Sequence, residues 1–258
     1  MNRDEEIAFS KLLAILEPVE SWLARISPTN PDMKIDADSP LAADDKLTHP
    51  YPTSYAAIAL FGHAIDHIHM LRVALHAGTL NIYAPYTLVR GALENAASIA
   101  WLLAPDDQST RLIRRFRLAV VDINMSERVK ELMGYVGPRS KNERLDEIRD
   151  LALKAGLSPA DAARRLTFSD IVSDADQESP LPDKKVKLVW NICSGMAHGD
   201  PWATLGGNRL VELPGAPPGT KHMQNSSDVE NLLFVTFTAR RMIEHAFQLY
   251  DQRGAASS

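Results

Sequence analysis

The chain carries very little cysteine. Cys193 stands alone among 258 residues, which excludes an internal disulfide and any metal site built on several thiolates. Aromatic residues are few, at 7%. No apolar segment is both long enough and free enough of charge to span a bilayer, so no membrane partner is expected. Nothing repeats at a fixed period, which excludes solenoids and propellers. The opening MNRDEEIAFSKLL has acids where a secretion signal needs basic residues ahead of an apolar run, and the expected location is cytoplasmic. The formal charge of −5 is small and uneven. Acid collects in the first 46 residues, whereas the stretch from Arg111 to Arg144 is locally basic. Bulk attraction to nucleic acid is therefore absent, and a local patch remains open.

What is abundant is alanine and leucine within a hydrophobic fraction of 45%, enough for a substantial core in one helical domain, 1–258. Leu12, Ile15, Leu16, Val19, Trp22, Leu23 and Ile26 fall on one helical stripe, with Pro18 predicted to bend or restart it. Residues 28–53 are rich in proline and acid without periodicity and read as a long loop or lid. Ser54 is a plausible cap for a helix to about Gly78. Asp107 opens a long helix with Leu112, Ile113, Phe116, Val120, Ile123 and Met125 inward. Arg111, Arg114, Arg115 and Arg117 crowd its first turns against the helix dipole and call for neighbouring acids. Residues 138–183 read as a helical insertion ending in an acidic, proline-containing loop. A further helix is predicted from Lys184 to His198. Residues 199–227 form an irregular loop with at most a short β ribbon near 208–213. Asp228 caps a last helix to about Arg253, and 254–258 is a disordered tail. The expected fold is all-α, a multi-helix bundle with long proline-rich loops.

One run organises the rest. Thr87 to Leu103, TLVRGALENAASIAWLL, is nearly apolar, so neighbours must cover it, and Gly91 with its small neighbours admits another helix closely. Arg90 and Glu94 lie one turn apart within it. Ionised groups are rarely buried unless paired, and Arg before Glu is the weaker order for an intrahelical pair. Asn191, Ser194 and His198 make a second polar stripe on an otherwise apolar helix. If the two sets share a cavity, they join a cation that can hold phosphate, a carboxylate and an imidazole that can move a proton. The same residues suit a hydrogen-bond network that only fixes helix docking.

Three other readings carry less. Ser194 one turn before His198 lacks the sharp elbow of a serine nucleophile. LALKAGLSPADAARRL has a helix-turn-helix outline with a short, acidic second piece, so sequence-specific DNA binding is not expected. His63, Asp66 and His67 have metal-ligand spacing, yet the second acid-x-x-His pair of a di-iron bundle is missing, and so is an evident third zinc ligand. No metal or other cofactor is expected.

LVRGALENAASIAWLLAP and VWNICSGMAHGDPWA together resemble a bacterial helical-bundle family that pairs an Arg-x-x-x-Glu helix, followed by Trp-Leu-Leu, with a later Ser-x-x-x-His-Gly. That family is similar to the HEPN superfamily. The resemblance implies an all-helical homodimer binding a nucleotide or RNA. In the ribonuclease branch it implies metal-independent RNA cleavage by an Arg-x4-6-His motif, as in toxins and phage-defence effectors. Here the spacing before His198 falls on Asn191, Ile192 and Cys193 instead of arginine. Arg240 and His245 satisfy it in the last helix, with Arg241 where that branch has asparagine, aspartate or histidine. The implied roles are phosphate binding or carboxylate orientation for Arg90 and acid-base work for His198, with Arg240 and His245 as the alternative pair.

Overall fold

A computed structural model describes residues 3–181 and 185–256. The expected all-α bundle is what the chain forms, with one small β hairpin. Its axis is α5, Ala84–Leu103, with Pro85 in its first turn. Ala96 through Leu103 are all buried, because α4 (Thr53–His76), α9 (Phe168–Glu178), α10 (Lys185–His198) and α12 (Val229–Gly254) pack around this helix. Gly91 is where α4 comes nearest: a Cβ there would lie 2.4 Å from the His67 ring. The first stripe divides at Pro18 into α1 (Arg3–Ile15) and α2 (Val19–Arg25), since a proline ring cannot continue the ladder.

Several loop readings give way. Residues 28–53 contain a 3-10 turn at Pro31–Met33 and a helix, α3 (Pro40–Thr48), capped by Ser39. This segment is docked: Leu41, Asp44 and Thr48 are buried, and the Tyr250 hydroxyl donates to the Met33 carbonyl at 2.8 Å. Its few apolar residues were enough because Asp44 has a partner. Arg111 of α6 (Gln108–Met133) donates to Asp44 through Nε at 2.6 Å and Nη2 at 3.1 Å, with both side chains buried. The long helix after it starts at Thr53 behind Pro52, and Ser54 uses its N–H on Asp45.

The 138–183 stretch folds as α7 (Lys141–Lys154), α8 (Pro159–Ala162) and α9. The first two close a separate small core with α6, through Phe116, Ile123, Ile148, Ala152 and Ala162. The third belongs to the main body, with Ile171, Val172 and Ala175 buried against α5. Its acidic sequence hid a capping box, in which Thr167 and Asp170 satisfy each other's backbone N–H groups. Residues 199–227 hold α11 (Pro201–Gly207) and the antiparallel strands β1 (Arg209–Leu213) and β2 (His222–Ser226). At the carboxyl end α12 runs through Gly254, and the Ala256 N–H donates to Asp36. The predicted start at Lys184 and the last two tail positions lie outside the described residues. Met125, expected to face inward, is 56% exposed.

Candidate functional site

Helix α10 is set against α5 by its own start. The buried Asp176 carboxylate of α9 accepts the Val186 and Lys187 N–H groups at 3.0 and 3.2 Å, occupying the positive end of α10. Val186, Val189, Cys193 and Met196 then face the core, which brings Trp190 and Lys187, one turn apart, beside Arg90 and Glu94. The Trp190 indole N–H donates to Glu94 Oε2 at 2.7 Å. The Arg90 guanidinium carbon lies 5.6 Å from the Trp190 ring centroid and the Lys187 ammonium 4.4 Å from it, both within cation-π range. Two cations and one carboxylate thus surround one aromatic ring.

The two cations are held differently. Lys187 donates to the hydroxyl and carbonyl of Ser169, at 2.6 and 3.0 Å. Burial lowers its pKa, against the pull of Asp170 and Asp176. Arg90 approaches Glu94 only to 3.5 Å, and its Nε is buried with no hydrogen-bond partner. Its side chain is 28% exposed, so donors remain available at the surface of the site. Below it, burial pushes the Cys193 thiol well up, outweighing Arg90, so this is an inert core cysteine.

The remaining predicted residues do not join this group. Asn191 and His198 are exposed and Ser194 is half-buried, so their stripe is the solvent side of α10. His198 is eight residues beyond Trp190, roughly 12 Å along the helix axis. Among the described residues no hydrogen bond or ion pair joins it to Arg90 or Glu94. Arg240 donates through Nε to Glu244 at 3.0 Å, and Arg241 approaches the same carboxylate at 3.8 Å. His245, five positions on, projects about 140° around α12 from Arg240. Burial lowers the pKa of His245, offset in part by Gln248, which favours the neutral ring near pH 7. His63 and Asp66 are exposed, while His67 turns its Nδ1 to the His63 carbonyl at 2.6 Å. Among the described residues no group of three or more His, Cys, Asp or Glu could hold a metal ion.

Sequence reasoning found Arg90 and Glu94 but passed over Trp190 and Lys187. The available signal was a lysine three residues before a tryptophan on one side of a helix. No known protein family, curated protein or solved structure matches the chain. Among the described residues no helix is long and apolar enough to cross a membrane.

Proposed function

We propose that this protein is a HEPN-like helical bundle that binds the phosphate of a nucleotide or RNA segment at the centre formed by Arg90, Lys187 and Trp190. The observation that carries this reading is the Arg90 guanidinium, mostly buried yet without a hydrogen bond to the protein among the described residues. A desolvated cation is costly unless its donors are used, and a planar guanidinium matches phosphate oxygens bidentately. Glu94 holds the Trp190 indole and limits how far Arg90 can turn. Arg90, Lys187 and Trp190 supply cations and an aromatic ring, a set suited to binding.

Calorimetric titration of the full chain with ATP and with a short single-stranded RNA tests this reading. Arg90→Gln and Lys187→Gln should each weaken binding roughly tenfold or more, the scale of a charge-assisted hydrogen bond, while His198→Ala binds as wild type. Wild-type affinity in Arg90→Gln would contradict the proposal and leave Arg90, Glu94 and Trp190 as a docking network. RNA cleavage that survives Arg90→Gln and is lost in His245→Ala would instead support the nuclease reading.

The homodimer that the resemblance implies has a surface suited to it. Met125, Val129 and Leu132 recur at steps of four and three along α6, each more than half exposed. Leu132→Glu should convert a two-copy mass to a one-copy mass in light scattering.

A further inference from the structure

A cleft of about 260 Å³ opens between the start of α6 and the end of α8, lined by Ser109, Thr110, Ile113, Arg117, Asp161 and Arg164. Two guanidinium groups meet there with no carboxylate bridging them. Arg117 donates one hydrogen bond, from Nη2 to the Arg165 carbonyl at 3.0 Å, and its Nε is buried without a partner. Arg164 is exposed, and no ion pair to it is present among the described residues. Burial lowers the Arg117 pKa most, and the repulsion of Arg164 comes next, ahead of the opposing pull of Asp174 and Asp170.

Two of the nearby acids are engaged elsewhere. Asp107 caps α6, accepting the Thr110 N–H at 2.8 Å and the Thr110 hydroxyl at 2.7 Å. Glu178 is engaged by Arg114. Asp161 lines the cleft but lies in no ion pair with either arginine. The donors left to a ligand are therefore the remaining Nη groups of Arg117, the exposed Arg164 fork and the Ser109 hydroxyl, with the start of a 26-residue helix adding a positive field.

We propose that this cleft is a second anion site, separate from the Arg90 centre, that takes one compact phosphate-type oxyanion between Arg117 and Arg164. Charge complementarity fixes the class of ligand, because two unbridged guanidinium forks match a tetrahedral oxyanion better than a lone halide. The surroundings fix its size. Asp170 and Asp174 act on Arg117 and Asp161 lines the cleft, so a polyanion laid across this face would meet more repulsion than a single phosphate.

The test is calorimetric titration of inorganic phosphate into the full chain in the Arg90→Gln background, at constant ionic strength set with chloride. Only the new cleft is then read, so its failure is distinguishable from failure of the Arg90 reading. One saturable phosphate is expected, and adding Arg164→Gln, an exposed change that leaves packing intact, should weaken it roughly tenfold or more. Arg117→Gln should act alike. Sulfate displacing the phosphate supports the oxyanion class. Comparing a phosphate monoester with the free ion then separates the two sources, tighter binding by either naming it. The proposal is overturned if the Arg90→Gln chain takes up no phosphate, if Arg164→Gln leaves affinity unchanged, or if chloride competes as well as sulfate.

Discussion

Trp101 and Trp190 are built into groups of the same composition. Each ring has two cations against it, and each indole N–H donates to a carboxylate: Asp174 at 3.1 Å for Trp101 and Glu94 at 2.7 Å for Trp190. The contrast lies between Arg114 and Arg90, since Arg117, 6.0 Å from the Trp101 ring, also keeps an idle Nε. Arg114, 4.9 Å from the Trp101 ring, donates to both Glu178 oxygens at 2.8 and 2.5 Å and also to the Trp101 carbonyl. Trp101 itself is fully buried. Arg90, beside the half-buried Trp190, is left with a 3.5 Å approach to Glu94 and an idle Nε. A guanidinium whose donors are taken stabilises a fold, whereas one with idle donors is a place for something else to bind.

The difference has energetic consequences that can be measured. The largest is expected from Trp101→Ala, which should lower unfolding free energy by about 3–5 kcal/mol in urea titrations, as for other buried aromatic deletions. Trp190→Ala should cost clearly less. Next, Glu178→Ala leaves the Arg114 guanidinium, only 12% exposed, without its carboxylate, and should cost about 1–3 kcal/mol. Arg90→Gln, by contrast, removes only a 3.5 Å approach to Glu94 and a cation-π contact, and should shift stability by less than about 1 kcal/mol while abolishing most ligand affinity. If the Arg90 and Glu178 changes proved equally destabilising, the two groups would be equivalent and the distinction would fall.

The smallest effect is on pH. The pKa of His245 is depressed by burial, so the unfolded chain binds its proton more readily than the folded one. Stability should be level above the ordinary histidine range and decline as pH falls below about 6.5. His245→Gln should flatten that decline in melting curves between pH 7.5 and 5.5, while His198→Ala, an exposed position, should not.

Helices with a continuous apolar stripe were legible in the sequence. α5 and α12 bury so much of their length that periodicity alone places them, and Pro18 between α1 and α2, Asp107 before α6 and Asp228 before α12 mark boundaries where expected. α3 and α9 were hidden because long-range partners hold them. An acidic nine-residue segment gains its helix by giving Asp44 to Arg111, 67 positions away, and α9 gains its own from a capping box and three buried residues facing α5. The site was half legible for the same reason. Arg90 and Glu94 are visible as charges inside an apolar run, while the bond from Trp190 to Glu94 spans 96 residues and leaves no local trace. His198 drew attention through the three- and four-residue spacing that also describes the solvent side of a helix.

The most direct measurement is the nuclear magnetic resonance signal of the Trp190 indole N–H, assigned through Trp190→Phe, during titration with a nucleotide. Ligand entering beside Arg90 must change the field at the proton bonded to Glu94, so the account predicts a saturable shift that Arg90→Gln removes. A Trp190 resonance that stays in place at saturating nucleotide, or moves no less in Arg90→Gln, would contradict it.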